Sequence, residues 1–141
     1  DDLELALAIG ADGVHLGRDD GDVARARARL GPDRLLGVSC YDRLELAIAA
    51  VAAGADHVAF GSAFASPTKP EAVRAPPALF TQARARLRVP IVAIGGITPE
   101  NARLVIEAGA DAVAVITAVF DAPDVAAAAA AFRNLFQRRK S

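Results

Sequence analysis

The sequence lacks the features that mark secreted, membrane-spanning or strongly charged proteins. Cys40 is the one cysteine, so the chain has no internal disulfide framework, and this usage indicates a reducing compartment, the cytoplasm. Its apolar runs are far shorter than the roughly 20 residues that span a bilayer, and it carries no secretory signal. A formal net charge of −1 gives no overall attraction to nucleic acid or to a membrane surface. We therefore expect partners among small molecules rather than nucleic acids or membranes.

Methionine is also absent, and the chain begins with Asp1 and Asp2 at the start of a helical pattern. Because translation starts at methionine, we expect a trimmed, excised or partial chain. The 141 residues have 53% hydrophobic content, which is enough for one domain with its own core. With no linker in the pattern, we expect a single domain over 1–141.

A repeated pattern runs through the chain. The segments 8–17, 52–61 and 107–116 each contain the end of a helix, a Gly-Ala-Asp turn and a short apolar strand. The glycines suit left-handed helix caps, and the continuous apolar runs are typical of parallel strands that are buried on both faces. Two further strands are predicted at 35–39 and 89–96. The predicted helices cover 2–9, 21–30, 41–53, 76–87, 99–108 and 123–139.

Strands that alternate with helices predict an α/β fold with right-handed crossovers. Two architectures fit five strands and six helices. One is a flavodoxin-like sheet, and the other is five of the eight units of a (β/α)8 barrel, which normally needs about 250 residues. The length favours the sheet, whereas the missing start favours the incomplete barrel.

The functional loops of both architectures follow the carboxyl ends of the strands. Here these positions carry hydroxyls, glycines, carboxylates and one lysine, namely 17–20, Ser39, Ser62, Ser66, Thr68, Lys69, 95–98 and Thr117. Hydroxyls, amides of glycine turns and lysines are phosphate ligands. Carboxylates beside a phosphate call for a hard cation such as Mg²⁺. The sequence therefore predicts an anion site at the glycines before the helix at 99–108.

Several other polar side chains are predicted to be structural. His15 lies inside a strand and is interpreted as a hydrogen-bonded interior residue rather than a base. Cys40 has no neighbour that would activate it and is interpreted as a small buried residue. Arg25, Arg27 and Arg29 alternate with alanines, which indicates the solvated face of a helix.

Five stretches of the chain together resemble the thiamine phosphate synthase family, in the family's order and spacing. They are "GADGVHLGRDD" (10–20), "LLGVS" (35–39), "FGSAFASPTKP" (60–70), "VAIGGITPENA" (92–102) and "GADAVAVITAVF" (109–120). The resemblance implies a (β/α)8 TIM-barrel fold, incomplete here with about five parallel strands and six helices. It also implies the family's Mg²⁺-assisted reaction. In it, 4-amino-2-methyl-5-(diphosphooxymethyl)pyrimidine and a thiazole ethyl phosphate give thiamine phosphate and pyrophosphate.

The resemblance also assigns roles to individual residues. Asp1 and Asp20 match the Mg²⁺ ligands, and Ser39 and Lys69 match catalytic contacts to the pyrimidine diphosphate. The residues that match the thiazole phosphate site are Ser66, Pro67, Thr68, Gly96, Ile116 and Thr117.

The chain departs from the family pattern in two ways. Arg18 stands where the family usually has glutamine, which places a cation beside the metal site. The family's first three strands, with their Gln-x-Arg-x-Lys diphosphate clamp, are absent. We therefore expect the 141 residues alone to be inactive, and we expect them to associate with a second copy or with the remainder of a longer chain.

Three other functions fit parts of the pattern. A thiazole tautomerase is a sister barrel, although the matches at Asp20, Thr68 and Lys69 favour the synthase. A non-catalytic phosphate-binding remnant is a second alternative. A five-stranded signalling receiver domain fits poorly, because Gly61 stands where it needs an acceptor aspartate and Thr117 where it needs a lysine.

Overall fold

The computed structural model describes residues 1–65 and 71–137. Within these residues, five strands alternate with seven helices. The strands are β1 (Gly13–Leu16), β2 (Leu35–Tyr41), β3 (His57–Phe60), β4 (Ile91–Ile94) and β5 (Ala112–Ala114). The helices are α1 (Leu3–Ala8), α2 (Val23–Leu30), α3 (Leu44–Ala52), α4 (Pro77–Arg86), α5 (Ala102–Ala108), α6 (Thr117–Phe120) and α7 (Val125–Gln137). None of the helices in the described ranges is long and apolar enough to cross a membrane.

The five strands form one parallel sheet in the order β1-β2-β3-β4-β5, so each strand pairs with its neighbours in sequence. Crossovers between parallel strands are right-handed, and an order that never reverses therefore places the connecting helices on one face. A flavodoxin-like sheet reverses its order and has helices on both faces. The observed order confirms the TIM-barrel type and rules out the flavodoxin-like alternative.

The main core lies between the sheet and the helices that cover it. Val58 and Phe60 of β3 and Ile91 of β4 are fully buried there together with Phe80 of α4. The rings of Phe60 and Phe80 meet edge to face with their centroids 5.8 Å apart, a favoured arrangement for an aromatic pair. A smaller cluster contains Leu16, Ala26, Leu30 and Leu36.

The other face of the sheet is accessible in the described part of the chain. Leu35 and Ile94 project from that face and are 58% and 43% exposed. The sequence predicted strands that are buried on both faces, and this prediction is wrong for these residues. The accessible face carries His15, Ser39 and His57 as well, because side chains alternate between the two faces along a strand.

Several helix boundaries differ from the sequence prediction. The helix predicted at 41–53 begins at Leu44, because β2 extends to Tyr41. The helix predicted at 99–108 begins at Ala102 and is preceded by a turn over 98–101, in which Asn101 Oδ1 accepts the Thr98 N–H at 2.9 Å. The helix predicted at 123–139 begins at Val125, and the short α6 precedes it. The described chain therefore has seven helices rather than six.

An ion-pair network holds the amino ends of β2 and β3 together. Asp56, which precedes β3, accepts the N–H of Leu36 in β2 at 2.7 Å and pairs with Arg27 of α2. Arg27 also donates to the carbonyl oxygens of Gly54 at 2.9 Å, Gly31 at 2.6 Å and Arg34 at 2.8 Å. The side chain of Arg27 is only 20% exposed, so its assignment to a solvated helix face is wrong.

The same arrangement recurs two strands further along the chain. Asp111, which precedes β5, accepts the N–H of Ile91 in β4 at 2.9 Å and lies 3.3 Å from Arg84 of α4. Arg84 also donates to the carbonyl oxygen of Val89 at 2.7 Å. In both cases the aspartate of a Gly-Ala-Asp turn joins its own strand to the start of the preceding strand and to the helix before that strand.

We predict that Arg27→Ala lowers the free energy of unfolding by about 2–3 kcal/mol, because Asp56 and three carbonyl oxygens lose a charged donor. Arg29 is the matched control, since it lies on the same helix and pairs at the surface with Glu4. Arg29→Ala should leave the free energy of unfolding nearly unchanged. Urea unfolding of both variants measures the difference, and equal losses would contradict the role of the Arg27 network.

Candidate active site

The pairing register brings the predicted site residues to the carboxyl end of the sheet. Leu16 pairs with Val38, so the loop after β1 begins beside Ser39. Ile94 pairs with Ala114, so the turn after β4 lies beside the turn after β5. The described site residues beyond the strand ends are Asp20, Gly96, Ile116 and Thr117, and Ser39 lies within β2, two residues before its end. Ser66, Pro67, Thr68 and Lys69 were also predicted for the site and lie outside the described residues.

Gly95 and Gly96 form a turn that only glycine can make at this place. Their φ angles are +96° and +63°, in the left-handed region. A Cβ at Gly96 would collide with the carbonyl oxygens of Phe64 and Ala65, and one at Gly95 would collide with Ser62. The turn after β4 therefore packs backbone to backbone against the loop that follows β3.

The two backbone polar groups of Gly96 differ in their partners among the described residues. The carbonyl oxygen of Gly96 accepts a hydrogen bond from Asn101 Nδ2 at 3.0 Å. Within the described ranges, the Gly96 N–H donates to no protein acceptor. Because α5 begins at Ala102, the basis for an anion here is the glycine turn rather than the helix start predicted at 99.

The end of β5 contributes an open surface beside this turn. Ile116 is 67% exposed and immediately precedes α6, and Thr117 is the exposed first residue of that helix. The exposed backbone and hydroxyl groups of Thr117 therefore lie at the same end of the sheet as the Gly96 turn, since Ile94 pairs with Ala114.

The loop after β1 is tied to the end of β2. Asp20 Oδ2 accepts the Gly17 N–H at 2.6 Å, and the Arg18 N–H donates to Tyr41 Oη at 3.0 Å. The guanidinium of Arg18 lies over the Tyr41 ring, 4.6 Å from its centroid. In the described chain Arg18 forms no ion pair with Asp20, so its cation is directed at an aromatic ring rather than at the predicted metal ligand.

His15 contacts a predicted site residue. Its Nε2 and Ser39 Oγ are joined by a hydrogen bond of 2.8 Å. Partial burial lowers the pKa of His15, as does the neighbouring His57, while Asp20 acts in the opposite direction. The Asp20 carboxylate therefore lies within electrostatic reach of His15.

The sequence interpretation of His15 as an interior residue missed this contact. His15 lies on the accessible face of the sheet, although its expected hydrogen bond is present. A signal existed in the register, because His15 pairs with Gly37 and Ser39 is two residues further along the same face. The single thiol fits its prediction, since Cys40 is fully buried and burial raises its pKa to about 12, which makes it unsuitable as a nucleophile.

The carboxylates of Asp1 and Asp20 are the donors available for a metal ion. Asp20 uses one oxygen to accept the Gly17 N–H and makes no protein contact through the other within the described residues. In those residues no group of three or more His, Cys, Asp or Glu side chains could hold a metal. Mg²⁺ is commonly bound by one or two carboxylates, by waters and by substrate phosphates. The second oxygen of Asp20 is therefore compatible with a Mg²⁺ ion whose other ligands are waters and substrate phosphates.

The fold and these loops define a class of protein. A parallel sheet of unreversed order, with glycines, hydroxyls and carboxylates at its carboxyl end, is part of a (β/α) barrel. A family model described as thiamine monophosphate synthase matches residues 1–119. The chain belongs to this family, as its sequence motifs predicted.

Individual relatives agree with this assignment. The chain is 62% identical over 136 residues to the thiamine-phosphate synthase of Aromatoleum aromaticum, covering 96% of this chain and 65% of that protein. It is also 62% identical over 139 residues to the thiamine-phosphate synthase of Chromobacterium violaceum, covering 99% of this chain and 67% of that protein. The chain thus spans about two thirds of the length of these relatives.

A solved structure shows the same architecture. Thiamine phosphate pyrophosphorylase from Pyrococcus furiosus superposes with a TM-score of 0.83 at 37% sequence identity. The superposition covers 98% of this chain and 65% of that protein.

We predict that inorganic phosphate or thiazole phosphate shifts the amide NMR signals of Gly95, Gly96 and Thr117. Gly96→Ala should weaken this binding at least about tenfold, because the added Cβ closes the turn and strains its backbone. Gly31→Ala is the matched control, since Gly31 has a φ of +74° and no atom within 4 Å of an added Cβ. Unmoved amides, or equal losses of affinity in both variants, would argue against the site.

Proposed function

We propose that this chain supplies part of the active site of a thiamine phosphate synthase, acting in the cytoplasm on two phosphorylated small molecules. The supporting observation is that Asp20, Ser39, Gly96 and Thr117 lie toward the same end of the sheet. The relatives of the chain are thiamine-phosphate synthases. The pyrimidine diphosphate is assigned to the side of Ser39 and Lys69. The thiazole phosphate is assigned to the loops of Gly96 and Thr117.

The reaction breaks the bond between the pyrimidine methylene carbon and the diphosphate oxygen. Both electrons leave with pyrophosphate, and the thiazole nitrogen then forms the new C–N bond to the methylene carbon. Donors placed where charge grows on the leaving oxygen stabilise the transition state more than the ground state. Ser39 and Lys69 are assigned to that task.

The thiazole phosphate keeps its charge throughout the reaction. The Gly96 amide and the Thr117 hydroxyl are suited to hold it by hydrogen bonds, and Ser66, Pro67, Thr68 and Ile116 are assigned to the same site. Contacts of this kind position the thiazole nitrogen for attack. A bound Mg²⁺ would be held by Asp1 and Asp20 and would neutralise charge on the departing diphosphate.

A hybrid protein tests the assignment directly. In it, this chain replaces the 136 matched residues of the Aromatoleum aromaticum synthase, so that the remaining third of that protein is supplied. Formation of thiamine phosphate and pyrophosphate from the two substrates and MgCl₂ should be within about tenfold of the natural synthase, or about 1.4 kcal/mol in activation free energy. The 141-residue chain alone should show little coupling. Its proposed partner is a second copy or the remainder of a longer chain.

The other outcomes separate the alternatives. Isomerisation of the thiazole phosphate without coupling would indicate a tautomerase-like barrel. Binding of thiazole phosphate by a folded hybrid that has no turnover would indicate a phosphate-binding remnant. Either result would contradict the proposed function.

In the hybrid, we predict that Lys69→Ala lowers kcat by about 10²–10³, or about 3–4 kcal/mol, because its ammonium faces charge that grows in the transition state. Thr68→Ala is the matched contrast, since its hydroxyl is assigned to the thiazole phosphate. That variant should mainly raise the KM for thiazole phosphate. A Lys69→Ala variant with near-normal kcat would show that Lys69 is a solvated loop residue.

A further inference from the structure

We propose that His15 is a positioning residue that keeps the Ser39 hydroxyl directed, as a hydrogen-bond donor, toward the diphosphate of the substrate. The identity of the ligand rests on the proposed function. The positioning itself rests on contacts among His15, Ser39, Gly37 and His57.

The Ser39 hydroxyl has a single hydrogen to donate. Ser39 Oγ lies 2.8 Å from His15 Nε2, so one of these two atoms donates to the other. If Nε2 carries its hydrogen, it donates to Oγ and leaves the Ser39 O–H free to donate elsewhere. If Nε2 lacks a hydrogen, the Ser39 O–H is used by His15. Only the lone pairs of Oγ then face the site, where they would repel an anion.

The local fold holds the His15 ring in place. His15 of β1, Gly37 of β2 and His57 of β3 form one row across the sheet. Because Gly37 has no side chain, the two imidazoles lie over its backbone with their centroids 5.6 Å apart. A Cβ at Gly37 would collide with His57 Nε2 and His15 Nδ1, so both nitrogens border the same small space.

This arrangement restricts the tautomers of the two histidines. Two N–H groups at the same small space would repel each other, so at most one of His15 Nδ1 and His57 Nε2 carries its hydrogen there. In the proposed arrangement the lone pair lies on His15 Nδ1, which places the ring hydrogen on Nε2, next to Ser39. The shared space above Gly37 therefore links the tautomer of His15 to the donor role of Ser39.

The ring is neutral at pH 7, so its tautomer matters. Burial has the largest effect on His15 and lowers its pKa below the ordinary value of 6.5. His57 from β3 acts in the same direction, and Asp20 from the loop after β1 acts in the opposite direction. A neutral imidazole carries one N–H, and the contact with Ser39 depends on which nitrogen bears it.

The tautomer can be measured in the 141-residue chain. The sequence contains only two histidines, so a His57→Gln variant assigns both rings in ¹H–¹⁵N spectra. At pH 7.5 we expect His15 to carry its hydrogen on Nε2. A hydrogen on Nδ1 would overturn the proposal whatever ligand the site binds.

Affinity for inorganic pyrophosphate with MgCl₂, measured by calorimetry on the hybrid protein, tests the consequence. His15→Leu and Ser39→Ala should each weaken binding about tenfold, and the double variant should be no weaker than either. His15→Gln should stay within about threefold of the unsubstituted hybrid, because its amide N–H₂ can still donate to Ser39. Amide spectra check that each variant is folded.

The outcomes distinguish the positioning role of His15 from the proposed function. Additive losses in the double variant, or a His15→Gln variant as weak as His15→Leu, would mean that His15 acts only on packing, and would overturn the proposal. An unsubstituted hybrid that fails to bind pyrophosphate would contradict the diphosphate role of Ser39 and with it the proposed function.

Discussion

The register between neighbouring strands is the constraint on which the site depends. Asp56 and Asp111 set it from the amino ends, where each carboxylate binds a backbone N–H of the preceding strand and an arginine of the helix before it. A slip of one residue would turn every side chain of a strand to the opposite face. Ser39 would then point into the helix layer rather than toward His15. The polar contacts at one end of the sheet thus determine which side chains meet at the other end.

Stability and chemistry are separated along the strands. The amino ends carry the arginine networks of Arg27 and Arg84, which are satisfied by carbonyl oxygens and aspartates. The carboxyl ends carry a left-handed glycine turn and exposed residues such as Ile116. This division is typical of β/α barrels, in which the loops at the carboxyl ends can vary without loss of the fold.

The sequence predicted the alternation of helices and strands, because the repeated pattern marks where each of them ends and begins. Each Gly-Ala-Asp turn separates a helix from a strand, and the motifs that follow the strands identified the family that the comparisons confirm. The sequence was less accurate at the boundaries of the elements. A turn over 98–101 precedes α5, although Thr98-Pro99 is a good helix start.

Long-range pairs were equally hidden from the sequence. Arg25, Arg27 and Arg29 have similar local sequence surroundings, and the packing of α2 against the turn at Gly54 gives Arg27 its distant partners, Gly54 and Asp56. His15 contacts Ser39, 24 positions away, because of the register of β1 and β2. The short α6 was also not predicted, because it has no helical sequence pattern of its own and forms where the chain leaves β5.

The aspartate network also gives the fold a direction. In each observed case the carboxylate of one β/α unit accepts from the unit before it, and never from the unit after it. Asp12 occupies the same place in the first repeat, and in the described residues its carboxylate has neither a hydrogen bond nor an ion pair. A unit of this type therefore has an acceptor side and a donor side, and joins its neighbours head to tail. Such heterologous contacts are all satisfied when the units close into a ring.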